Sequence, residues 1–144
     1  MKFNLGDLIN KVTPIITNDE ISYFWETSNR IRESIIISRR LWPDFSIDND
    51  CIFLADSSKE NIDLARKLCT NRIDIEYYVN HRHIIDLFGG YNCATTKEEI
   101  NYLGTLVQYM LTAKLQYDFP SISFQVVFNY NGNQDEANVT FWQI

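Results

Sequence analysis

The sequence predicts an α+β protein, four to five helices packed on a C-terminal antiparallel β-hairpin, on three observations. Ile122, Phe124, Val126 and Phe128 fall at every second position, the pattern of a half-buried strand. After the turn-rich stretch 129–134, period two returns with Val139 and Phe141 on one face and Trp142 and Ile144 on the other. Upstream, apolar residues recur at three and four between helix start and stop signals. A two-stranded hairpin is marginal alone in water, so those helices must supply the surface that receives it.

Taken in order, residues 3–13 read as a short helix with Leu5, Leu8, Ile9 and Val12 inward, ended near Pro14. Asn18 caps a longer helix whose first turn holds Asp19 and Glu20, where the helix dipole favours negative charge. Ile21, Phe24, Trp25, Ser28, Ile31 and Ile35 form its expected inward face, with Glu26, Asn29, Arg30, Arg32 and Glu33 on the other sides. It should stop before Pro43, which cannot continue a helix and disfavours α geometry at Trp42. Residues 44–50 read as an acidic loop. The apolar run 51–55 is short enough for a buried strand, with a buried helical turn as the alternative; as a strand it is expected to join the hairpin as its third.

Asp56, Ser57 and Ser58 offer N-caps for a helix to about Cys69, with Ile62, Leu64, Ala65 and Leu68 as its apolar residues. Residues 72–88 fit either period: Ile73, Ile75, Tyr77 and Val79 alternate, while Ile75, Tyr78, Val79, Arg82, Ile85 and Phe88 suit a helix. The helix is preferred, capped by Asn71 and stopped by Gly89-Gly90. Thr96 and Glu99 make a capping box for a last helix with a stripe of Ile100, Leu103, Leu106, Val107, Met110, Leu111 and Leu115. Pro120 ends the connection, and Asn131-Gly132 is the strongest hairpin-turn signal.

The 144 residues suit a single globular domain, 1–144, with no repeat, linker or low-complexity tract. At 45% apolar and 14% aromatic residues, the core needs no metal or disulfide. Cys51, Cys69 and Cys93 are odd in number and lack a CxxC pair, which excludes a zinc ribbon and fits reduced thiols in the cytoplasm. Asn4, Asp7 and Asn10 interrupt any signal-peptide core, and no run approaches the ~20 apolar residues of a membrane span. The net charge of −6 opposes nucleic-acid binding and favours a basic partner.

Candidate chemistry is sparse. Both histidines lie in Asn80-His81-Arg82-His83, three residues before Asp86. On a strand His81 and His83 would share a side and could share a metal. On a helix they diverge by about 200°. An enzyme or metal site using His81, His83 and Asp86, with Cys93 beyond the Gly-Gly turn, is one reading, but no HExxH or nucleophile motif supports it. Neither GxGxxG nor GxxxxGK[ST] occurs, so no cofactor, metal or catalytic residue is assigned. A calcium loop at 43–50 fails for want of its central glycine and terminal glutamate. Arg39 and Arg40 are accounted for by a helix C-terminus. An exposed hairpin edge carrying aromatics would favour a homodimer or adaptor.

What remains is an acidic surface: Asp44, Asp48, Asp50 and Asp56 beside Trp42 and Phe45, with Asp135 and Glu136 at the hairpin tip and Tyr91 as a further aromatic. In this profile of one acidic domain under 150 residues with no catalytic motif and no signal, the chain resembles the immunity proteins that protect bacteria from secreted toxins, of contact-dependent-inhibition or bacteriocin type. The resemblance implies occlusion of a toxin's active site, often a nuclease with a basic groove. The carboxylates would then steer association, and Trp42, Phe45 or Tyr91 would be the buried anchors.

Overall fold

The computed structural model describes residues 19–20, 31–89 and 95–144. Within them the chain is α+β, with elements in the order α1 (Ile31–Leu41), β1 (Phe45–Asp48), β2 (Cys51–Leu54), α2 (Lys59–Leu68), α3 (Arg72–Val79), β3 (Arg82–His83), α4 (Ile84–Phe88), α5 (Lys97–Asp118), β4 (Phe124–Asn129) and β5 (Asn138–Gln143). The expected helix 3–13 and residues 21–30 of the next one lie outside the described residues.

Local signals set the helix ends. Ser58 accepts from Asn61 N, Asn71 from Asp74 N, and Thr96 and Glu99 form the reciprocal capping box. Gly89 takes the left-handed conformation that closes α4, and α1 stops at Leu41, two residues before Pro43. Ile100, Val107, Leu111 and Leu115 of α5 are buried against Val126, Val139 and Phe141 of the C-terminal hairpin. At Gly104 a Cβ would fall inside the Phe128 ring, so α5 and β4 meet at a distance only glycine permits.

Four expectations are corrected. The third strand of the hairpin sheet is β3, giving the order β3-β5-β4, whereas β2 pairs with β1 in a separate two-stranded sheet. The acidic stretch 44–50 is therefore largely strand and turn. Asn49 and Asp50 both have positive φ, a two-residue turn that their short polar side chains tolerate. The helix expected over 72–88 ends at Val79, because Asn80 turns its side chain into the interior and Arg82 pairs with Val139. Ile31 and Ile35, expected inward, are 72% and 54% exposed, since α1 meets α5 around Leu41 and Trp42 rather than along its length.

β2 is buried on both faces. Ile52 and Leu54 join the main core, and Cys51 and Phe53 join a second cluster with Ile62, Ala65 and Val79 under α2 and α3. β5 is likewise covered on both faces. Phe141 faces the main core, while Thr140 Oγ1 donates to Tyr77 O at 2.9 Å and Trp142 packs on the Tyr77 ring.

β2 and β5 approach each other without pairing, and two side chains of the α3 end fill the gap. Glu76, fully buried, accepts from Ile52 N (2.8 Å) and Gln143 N (2.8 Å), and from Gln143 Nε2. Asn80 accepts from Leu54 N (3.1 Å) and donates to Ile52 O (2.9 Å) and Phe141 O (3.3 Å). These are the outward-facing backbone groups of both strands, which without partners would each cost about 1–3 kcal/mol to bury. Glu76 and Asn80 thus do the work of a missing strand and bind the two sheets together.

Candidate functional site

The surface around β1 begins where α1 stops. Pro43 turns the chain out of the helix and leaves Trp42 at 40% exposure, its ring 6.4 Å from that of Tyr117 on α5, itself 77% exposed. Lys114 Nζ lies 5.6 Å over the Trp42 ring and is held by Asp118 at 2.7 Å. Asp44 follows, exposed; its carbonyl accepts from Ala55 N at 2.9 Å.

Phe45 turns inward and packs edge-on against Phe119 and Phe141, so its ring belongs to the core rim. Two residues on, where the sheet extends past the core, Ile47 is 67% exposed. The turn presents Asp50, whose carbonyl accepts from Gln143 Nε2 at 2.9 Å.

The carboxylates differ in how far their charge is met. Asp48 pairs with Arg66 at 3.0 Å and Asp56 with Arg82 at 3.2 Å. Asp44 and Asp50 have no ion pair among the described residues and project undiminished charge. Asp135 and Glu136 sit at the opposite end of β5 from Asp50, beside Asn138 rather than Gln143, roughly 17 Å away along the strand. The structure therefore gathers Trp42, Asp44, Asp48 and Asp50 along one hairpin and leaves Asp135 and Glu136 apart from them. Tyr91 lies outside the described residues. Sequence reasoning missed Ile47 and Tyr117; both fall off the helical stripes, and an off-stripe apolar residue was the available signal.

The histidines are brought together because the chain is extended rather than helical here, His81 just before β3 and His83 within it. The His81 and His83 rings are 4.9 Å apart and nearly perpendicular. Burial, then the neighbouring His83 and Arg82 charges, holds the His81 imidazole below its ordinary pKa. His81 lines a shallow cleft of about 400 Å³ with Asn61, Tyr77 and Tyr78, and His83 Nδ1 is shielded without a hydrogen-bond partner. Asp86 is exposed on α4, and Cys93 lies outside the described residues. Two imidazoles make half a zinc site, and no group of three or more metal-ligating side chains occurs among the described residues. Among the same residues, no helix is long and apolar enough to cross a membrane.

The chain matches no protein-family model, and neither the curated proteins nor the solved structures contain a match to it.

Proposed function

We propose that this protein is a binding module that neutralises a basic partner protein, acting as toxin-immunity proteins do by covering the partner's working surface. The observation that carries this reading is the β1–β2 hairpin: two carboxylates without an ion pair among the described residues, Asp44 and Asp50, flank exposed apolar surface at Trp42 and Ile47. In a chain of net charge −6, unpaired carboxylates raise the encounter rate with a basic surface. Trp42 and Ile47 supply the apolar area that holds the complex once formed, with tryptophan among the commonest anchors. The expected partner is a toxin domain such as a nuclease, whose phosphate-binding groove is basic.

The test is capture from the native cell at low salt, with the chain as bait, compared with Asp44→Lys and with Asp50→Asn, the latter chosen because asparagine tolerates the turn's positive φ. Recovery of one basic protein, weakened by both substitutions and by salt, supports the reading. If that protein is a nuclease, equimolar addition of the chain should protect plasmid DNA from it. Capture that is indifferent to both substitutions overturns the assignment of this surface.

The close pairing of His81 and His83 favours a second reading, a small enzyme or metal-binding protein. A zinc titration that leaves the imidazole resonances of both unmoved removes it.

A further inference from the structure

The register of β1 and β2 determines which backbone groups point away from the pair. Asp48 and Cys51 flank the two-residue turn, and Ala55 N donates to Asp44 O, so Asp44, Ser46 and Asp48 use their backbone groups within the hairpin. Ile52 and Leu54 point theirs to the other side, where Glu76 and Asn80 meet them. It follows that the N–H and C=O of Phe45 and Ile47 point outward along the free side of β1.

The outward groups of the C-terminal sheet are met in part: Val126 O of β4 accepts from Gln108 Nε2 at 2.9 Å, Val139 of β5 pairs with Arg82 of β3, and Phe141 O and Gln143 N of β5 are met by Asn80 and Glu76. The β1 side is met by nothing among the described residues, and no lysine, proline or bulge lies within Phe45–Asp48; its guards are its length of four residues and its acidic charge, which a basic strand would complement.

We infer that the free edge of β1 accepts one further strand, an extended segment of the basic partner in which lysine or arginine alternates with apolar residues. This rests on the proposed function and specifies its binding mode. The alternation follows from the pleat. Side chains directly across an added strand share a face. Residues opposite Asp44, Ser46 and Asp48 therefore meet acid and hydroxyl, and residues opposite Phe45 and Ile47 meet apolar surface. A second copy of this chain is disfavoured in the register that sets Phe45 against Ile47 of the other copy. Antiparallel self-pairing centred on Ser46 sets Asp44 of each copy against Asp48 of the other on one face, and like charges directly opposite are destabilising.

The probe is a blocked Thr-Lys-Val-Lys-Val-Lys-Thr peptide and two N-methylated forms, one methylated at both valines and one at the outer lysines. In the added strand the valine N–H groups donate to the Phe45 and Ile47 carbonyls, while the lysine N–H groups face away. At low salt, valine methylation should weaken binding by about tenfold or more, the worth of roughly one lost hydrogen bond. Lysine methylation should change it by less than about threefold, and the Phe45 and Ile47 amides should exchange more slowly in the complex.

Equal binding of all three peptides, weakened by Asp44→Lys, overturns strand addition and leaves the acidic-surface reading standing. No peptide binding, while the native partner is still captured in an Asp44-dependent manner, overturns the inference alone. Failure of both peptide and partner overturns the two together.

Discussion

Replacing Glu76 tests whether two side chains substitute for a strand. The carboxylate accepts three N–H groups through two oxygens: Oε1 from Ile52 N and Gln143 Nε2, Oε2 from Gln143 N. None of the ion pairs among the described residues involves it. Glu76→Gln keeps the volume but swaps one oxygen for an NH2 group. Whichever way that amide turns, a donor meets a donor. The less costly orientation gives up the Gln143 N bond, leaving one buried N–H unmet at about 1–3 kcal/mol.

The remaining bonds lose their charge assistance, while a neutral amide is easier to bury than a carboxylate, and these two changes oppose each other. We expect a net loss of about 2 kcal/mol for Glu76→Gln. Glu76→Ala orphans Ile52 N and Gln143 N together and leaves a void, for about 3–5 kcal/mol. Gln143 Nε2 is spared because Asp50 O still receives it.

Against a total of about 5–15 kcal/mol, the alanine variant should be visibly destabilised in urea. Unfolding curves followed by tryptophan fluorescence, with unchanged slope, would give both values. A double-mutant cycle with Gln143→Ala should show coupling of about 1 kcal/mol or more. A Glu76→Ala loss below about 1 kcal/mol would refute the argument, because two buried N–H groups cannot be orphaned so cheaply.

Three further outcomes are expected. Gly104→Ala, favourable by about 1 kcal/mol in an ordinary helix, should instead destabilise by about 1–3 kcal/mol through collision with Phe128, and adding Phe128→Leu should recover part of the loss in thermal melts. Burial, aided by the Glu76 carboxylate, pushes the Cys51 thiol up; in a Cys69→Ser, Cys93→Ser background at mildly alkaline pH its labelling by a thiol reagent should follow global unfolding, and immediate labelling would contradict its burial. His81 is held below its ordinary pKa, so the folded state binds fewer protons than the unfolded one. Its contribution is intact above about pH 6.5 and is lost as pH falls through that value; His81→Gln should flatten this part of the stability–pH curve, and an unchanged slope would refute it.

The α+β class, the helix caps at Ser58, Asn71 and Thr96, the stops at Pro43 and Gly89, and the two strands of the terminal hairpin were legible in the sequence. Each rests on groups within a few residues of one another, so the chain carries the whole interaction locally. The β1 strand was legible in part. Phe45 and Ile47 alternate before Asn49-Asp50, but the density of carboxylates reads more readily as a solvated loop. The exposure of Trp42, Asp44 and Asp50 agrees with their place in the sequence reading, whereas the arginines that pair with Asp48 and Asp56 come from 18 and 26 residues away and were not legible.

Glu76 marks the limit of such reading. In Arg72–Val79 it is an ordinary charged residue on a short helix, indistinguishable by type or spacing from the exposed Asp74. What buries it is the meeting of Ile52 and Gln143, 24 and 67 residues away, each bringing a backbone N–H that neither sheet satisfies. The capped helix starts, the stops at Pro43 and Gly89 and the terminal hairpin were readable because their signals are short-range. The end of α3 at Val79, the strand β3, the burial of Glu76, the neutralisation of Asp48 and the open edge of β1 follow from groups brought together from distant parts of the chain.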